Sequence, residues 1–125
     1  MEVRELYERG LALRKKLFGN DVEKRMANAR PLGEPLQHMI NAYCYGDVWQ
    51  RPALPFKTKS IAVLAMTAAL GRPEEFRAHL QGALANGCTA EEIQDLLMLV
   101  AVYCGVPASN EVHRIANEVL SAPRP

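Results

Sequence analysis

The chain has no Cys-x-x-Cys pair, and its three cysteines, Cys44, Cys88 and Cys104, are odd in number and scattered. They cannot all pair within one chain, so free thiols in a reducing compartment are expected. An excess of one charge is also missing. Fifteen basic residues meet 14 acidic ones, for a net charge of +1. That leaves no basic field for nucleic acid and no acidic solvating tail. The longest apolar runs, residues 61–70 and 96–104, are too short to span a bilayer. The charged opening Met1-Glu2-Val3-Arg4-Glu5 lacks the apolar stretch of a signal peptide. A cytoplasmic protein without a membrane partner is expected. No histidine pair has metal-ligand spacing, and neither a glycine-rich phosphate loop nor a Gly-x-Ser-x-Gly elbow occurs. A metal site is therefore not expected.

What is present fits one globular domain spanning residues 1–125, with 49% apolar and 23% charged residues. A chain of this size can bury roughly two-thirds of its surface. Period-two alternation is absent, and helical punctuation runs throughout, so an all-α fold of about six or seven helices is expected. Val3, Leu6, Tyr7, Leu13 and Leu17 follow helical spacing up to a stop at Gly19. Asn20 or Asp21 is placed to cap a second helix ending near Ala29. Pro35 opens a third, with Leu36, Ile40 and Tyr43 on one face. Pro52 and Pro55 mark residues 49–56 as a loop.

A fourth helix, about 57–70, is apolar on nearly every side from Ile61 onward. Gly71 stops it, and Pro73 starts a fifth that ends before Gly87. Thr89 and Glu92 form a capping box before the sixth, about 90–104, which is again very apolar. Gly105 closes it, and Pro107 opens the seventh. The last four helices thus read as two similar pairs. The tail from Ser121 to Pro125 is expected to fray. Two such apolar helices are hard to cover in so short a chain, so a homo-oligomer is expected.

The residues able to carry chemistry cluster around the fifth helix. His79 falls between the Phe76/Leu80/Ala83 stripe and Glu75, one turn earlier. A histidine there can exchange a proton near neutrality, with Glu75 fixing its tautomer. A core-edge histidine bonded to a backbone carbonyl is the alternative. Arg72, two turns before His79, can bind a carboxylate in a bidentate fork, or can simply favour the negative end of the preceding helix. Arg51 sits in a stiff loop between Trp49 and Pro52. Lys57 and Lys59 occupy a helix start, the unfavourable end for a cation. An anionic ligand explains them, and so does plain solvation. His38 falls at the flank of the third helix's face, and His113 reads as solvent-facing. Cys104 reads as a buried inert thiol. Cys88 reads as a boundary thiol open to solvent.

Three stretches carry a further signal: Gly-Asp-Val-Trp-Gln-Arg-Pro at 46–52, His79 to Gly87 followed by Thr-Ala-Glu-Glu-Ile at 89–93, and Tyr-Cys-Gly-Val-Pro-Ala at 103–108. Together they resemble the carboxymuconolactone decarboxylase family, over roughly residues 27–120. The resemblance implies an all-helical, alkylhydroperoxidase D-like fold that assembles as a ring, a trimer or hexamer. It implies cofactor-free loss of carbon dioxide from 4-carboxymuconolactone to the β-ketoadipate enol-lactone, a step of aromatic catabolism. It implies His79 and Glu75 as catalytic residues, and Arg51, Arg72, Trp49 and Lys59 as the set binding a small anionic lactone. The thiol branch of the superfamily uses Cys-x-x-Cys with a histidine four residues on. Aligned on His79, those cysteines fall at Arg72 and Glu75, so thiol chemistry is unsupported. Ala53 stands where glycine is common, and Gln50 and Phe56-Lys57-Thr58-Lys59 differ from the arginine-rich wording of the decarboxylase branch. These departures bear on the substrate more than on the fold. The alternatives are the same fold acting on another lactone or carbonyl acid, and a non-enzymatic oligomeric scaffold.

Overall fold

One arithmetic of burial recurs along the chain. In a helix, residues spaced i, i+3, i+4 and i+7 share a face. Gly10, Leu13, Arg14 and Leu17 are buried in this pattern in α1 (Val3–Phe18). Ile93, Leu96, Leu97 and Val100 repeat it in α6 (Ala90–Cys104). Val112, Ile115, Ala116 and Val119 repeat it in α7 (Val106–Ser121). The remaining helices are α2 (Asp21–Ala29), α3 (Glu34–Met39), α4 (Phe56–Ala69) and α5 (Pro73–Ala85). A π-helical segment, Ile40–Tyr45, and a 3₁₀ turn, Val48–Gln50, lie between α3 and α4. The computed structural model describes residues 1–122, and these are all-α. Positions 123–125 of the tail expected to fray lie outside the described residues.

The chain packs as two compact units, Met1–Pro55 and Phe56–Pro125. In the first, α1 lies along the π-helical segment with little room between the backbones. A Cβ on Gly10 would overlap the Asn41 carbonyl oxygen and come within 2.6 Å of the Gly46 nitrogen. Arg9 donates to the Gly46 carbonyl at 3.0 and 2.6 Å. Buried Arg14 donates to the Oδ1 of fully buried Asn41 at 3.1 Å. Burial in apolar surroundings holds the Arg14 guanidinium below its ordinary value and pushes the Cys44 thiol and the Tyr45 phenol up.

The π-helical segment corrects the expected third helix. Leu36 and Tyr43 were to share its buried face, yet they are 53% and 57% exposed. The wider π turn rotates the chain, so Asn41, Ala42 and Tyr45 are buried instead. Residues 49–56 are likewise not wholly loop. Trp49 sits in the 3₁₀ turn, buried.

The second unit is two helical hairpins, α4 with α5 and α6 with α7. Their core includes Leu64, Phe76, Leu80, Ile93, Ile115 and Val112. Both hairpin turns use a glycine at positive φ, Gly71 at 69° and Gly105 at 100°, with a proline starting the next helix. The capping box forms as read: Glu92 N donates to Thr89 Oγ1 at 3.1 Å, and Thr89 N donates to Glu92 Oε1 at 2.8 Å.

That hydrogen bond from the Thr89 backbone, and then the Lys57 ammonium 2.9 Å away, hold the Glu92 carboxyl below its usual range. A depressed carboxyl stabilises the fold at neutral pH, and this contribution is lost as pH falls through the lowered value. Thr89→Ala is expected to cost about 1 kcal/mol, read as a shift in the urea midpoint. Glu92→Gln is expected to flatten the acid limb of the stability–pH curve. An unchanged acid limb in that variant would show that the pairing contributes nothing.

Candidate functional site

The local chemistry of α5 presents three candidate side chains together. Arg72 is its N-cap residue and Pro73 its first residue, with φ preset for a helix. Arg72 N donates to Thr67 O at 2.9 Å, and Phe76 N donates to Arg72 O at 2.9 Å, which fixes the entry of the chain. Spacings of three and four then put Arg72, Glu75 and His79 on one flank. Arg72 and Glu75 are exposed. His79 is half-buried beside Phe76, Leu80 and Ala83, all fully buried. The imidazole thus holds the boundary position that the spacing predicts. The N-terminal end of α5, where Arg72 stands, carries a positive partial charge, and Glu74 and Glu75 lie in its first turn.

The facing helix α4 brings Lys59, half-buried, with Nζ 5.9 Å from the Phe56 ring centroid. At this same end of the hairpin, away from the Arg72 turn, Asn86 Nδ2 donates to Ser60 Oγ at 2.9 Å and to Phe56 O at 3.5 Å. The hairpin is therefore tied at both ends, with His79 between the ties. Such bracing keeps a reacting group in place.

Trp49 and Arg51 belong to the first unit. Trp49 stacks on Tyr45 with centroids 5.7 Å apart, and Tyr45 meets Phe18 edge-on at 5.9 Å. Gln50 Nε2 donates to Tyr45 O at 3.1 Å. The buried aromatics and this bond stiffen the turn from which exposed Arg51 projects. Arg51 Nη2 is 3.7 Å from Asp47 Oδ2.

Several side chains stand elsewhere than the sequence suggested. His113 is half-buried rather than solvent-facing. Its Nδ1 lies 2.8 Å from Ser109 O and 3.1 Å from Ser109 Oγ, and that hydroxyl donates to Leu97 O at 2.9 Å. A carbonyl only accepts, so Nδ1 carries the proton. The signal was available: Ser109 precedes His113 by one helical turn. Cys88 is buried, not open, and its thiol lies 3.8 Å from Lys57 O. Burial raises its pKa and makes it a poor nucleophile. Cys104 is exposed, not buried, because α6 buries one stripe rather than its whole circumference. All three cysteines are free. Among the described residues no group of three or more His, Cys, Asp or Glu side chains is placed to hold a metal ion, and no helix is long and apolar enough to cross a membrane.

Residues 34–118 match the model of the carboxymuconolactone decarboxylase family. The chain belongs to that family. It is 36% identical over 114 residues to a 4-carboxymuconolactone decarboxylase of Acinetobacter baylyi, covering 90% of this chain and 85% of the relative. It is 34% identical over 119 residues to a nitrosuccinic acid decarboxylase of Metarhizium robertsii, covering 94% of this chain and 83% of the relative. Both relatives are decarboxylases, and the expected enzyme class, a carboxy-lyase, stands on them. The family match takes in α5 whole, and with it Arg72, Glu75 and His79.

Proposed function

We propose that this chain is a carboxy-lyase for a small dianionic acid, 4-carboxymuconolactone first, in which the substrate itself takes up the electrons left by departing carbon dioxide. The observation that carries this reading is the flank of α5, where a half-buried imidazole stands two turns from a guanidinium at the start of the helix. The two named substrates of the relatives support it chemically. Each has its leaving carboxylate on a carbon joined to an electron sink, the unsaturated lactone in one and the nitrogen substituent in the other. Each keeps a second carboxylate on a neighbouring methylene. The requirements are common to both: grip the retained carboxylate, stabilise the charge that moves into the sink, and return one proton to carbon.

In the proposed reaction the bond between C4 and the leaving carboxylate breaks. Its electron pair moves through the conjugated double bond to the lactone carbonyl, giving a dienolate. Protonation of the carbon next to that carbonyl gives the enol-lactone. His79 supplies the proton, and Glu75, one turn earlier, orients the ring. Arg72 at one end of the hairpin and Lys59 toward the other are assigned to the substrate's anionic groups and to the oxygen on which charge develops, the contribution that usually dominates such catalysis. Arg51, on the turn that Trp49 holds, is proposed as a further anion-binding residue. The chain works in the cytoplasm with no added cofactor. An ultraviolet assay with the lactone tests this. Saturable turnover supports the reading, and turnover of nitrosuccinate alone moves the substrate within the same chemistry. Turnover of neither contradicts it.

The same reading includes a homo-oligomer, a trimer or hexamer. Met98, Leu99, Val102 and Tyr103 on α6 are 57%, 57%, 74% and 83% exposed. On α4, Met66 is 60% exposed, and Leu70 just beyond its end is 73% exposed. Apolar surface of this extent marks an interface. Sedimentation should give a mass several times the 13.9 kDa of one chain. Val102→Asp is expected to shift it toward the monomer. A wild-type monomer at micromolar concentration would refute the assembly.

A further inference from the structure

The first unit contains a cavity lined by none of the residues assigned to decarboxylation. It opens among α1, α2 and α3 and has a volume near 920 Å³, within the roughly 300–1,000 Å³ of small-molecule sites. Leu11, Met26, Pro31 and Pro35 give it apolar walls. Tyr7 and His38, also in the lining, stack with centroids 5.0 Å apart and planes at 26°.

Its charges are already matched. Lys15 Nζ is 2.7 Å from Glu23, and Arg30 Nε is 2.9 Å from Glu34. One polar group is not matched. Gln37 lines the cavity, and its Oε1 is buried with no hydrogen-bond partner. A buried acceptor left without a donor destabilises a fold, and such groups are rare. A donor from outside the chain would satisfy Gln37.

We infer that this cavity binds a small uncharged molecule with a planar apolar body and one hydroxyl or N–H group. The donor meets Gln37 Oε1, and the ring lies against the Tyr7–His38 stack. The charged groups of the lining already stand in ion pairs, so a charged ligand gains less from them than a neutral donor gains at Gln37. A purely apolar ligand would fill the space and leave Gln37 unsatisfied. Phenol has the required parts. Anisole keeps the ring and lacks the donor, and benzoate keeps the ring and carries a charge.

The test is a titration of the full chain with each of the three, followed by NMR at the side chains of Gln37, His38 and Tyr7. Phenol should give saturable shifts at all three residues and a Kd about tenfold below that of anisole or benzoate, the worth of one hydrogen bond to a buried acceptor. Gln37→Leu should bring the phenol and anisole constants together. It should also melt at a higher temperature than the wild type, because it removes the unmatched oxygen. The heat-unfolding readout shows that any lost preference does not come from lost structure. Equal binding of phenol and anisole by the wild type overturns the proposal, as does an undiminished phenol preference in Gln37→Leu. Shifts that follow protein concentration instead of phenol also overturn it, since a second copy would then fill the cavity.

Discussion

Replacing His79 by glutamine should lower decarboxylation turnover by about 10²–10⁴-fold, the usual worth of a positioned general acid. Glutamine matches the size and hydrogen-bonding character of histidine but cannot deliver a proton at neutral pH. The position favours a clean result. His79 is half-buried at the edge of the stripe formed by Phe76, Leu80 and Ala83, so the core beneath it is untouched by the change. Helicity by circular dichroism and the assembly seen by sedimentation should match the wild type. KM should change little, because Arg72 and Lys59 keep their places. Arg72→Gln should behave in the opposite way, raising KM more than it lowers kcat, if its role is to grip a carboxylate in the ground state as well as the transition state. An unaltered kcat in His79→Gln removes the imidazole from the chemistry.

Gly10→Ala should destabilise the first unit by about 3 kcal/mol, the upper range for overpacking. Helix propensity alone points the other way, since alanine is favoured over glycine in a helix interior by up to about 1 kcal/mol. The packing decides the sign. The new Cβ would overlap the Asn41 carbonyl oxygen and crowd the Gly46 nitrogen. Both are backbone atoms that cannot swing aside as a long side chain would. The mirror substitution meets the same wall, because a Cβ on Gly46 would overlap Leu6 O and lie 2.5 Å from Ala42 O. Relief requires α1 to move off the π-helical segment, which would loosen the Arg9 bonds to Gly46 and expose the Arg14–Asn41 pair. Urea unfolding followed by the fluorescence of Trp49, the chain's single tryptophan, reads the effect directly. A higher midpoint in Gly10→Ala would show that the helix has room to shift.

These two residues also mark where the sequence was readable. His79 could be placed because helical spacing is a local property, fixed by the residues within two turns. The same locality made the stripes of α1, α6 and α7, the stops at Gly71, Gly87 and Gly105, and the Thr89–Glu92 capping box readable. Gly10 could not be interpreted in the same way. Its reason lies in Gly46, 36 positions away, and in a close approach that no local pattern encodes. The π-helical turn at Ile40–Tyr45 is likewise absent from the local pattern, and it buries Asn41, Ala42 and Tyr45 in place of the face expected from Leu36 and Tyr43. Cys104 was misplaced for a related reason. Cys104 ends a very apolar helix and so reads as buried, whereas α6 buries only Ile93, Leu96, Leu97 and Val100. His113 was misplaced because a polar neighbour, Arg114, outweighed the Ser109 carbonyl one turn back. Gln37 gave no sign at all, since a glutamine beside a proline-started helix is ordinary until its oxygen is found buried.

The measurement that bears most directly on the account is carbon dioxide release by the purified wild-type chain given 4-carboxymuconolactone in heavy water, with the product examined by mass spectrometry. The account predicts saturable release and a product carrying one solvent-derived deuterium on the carbon next to the lactone carbonyl. Release no faster than the uncatalysed reaction, for both this lactone and nitrosuccinate, would contradict it.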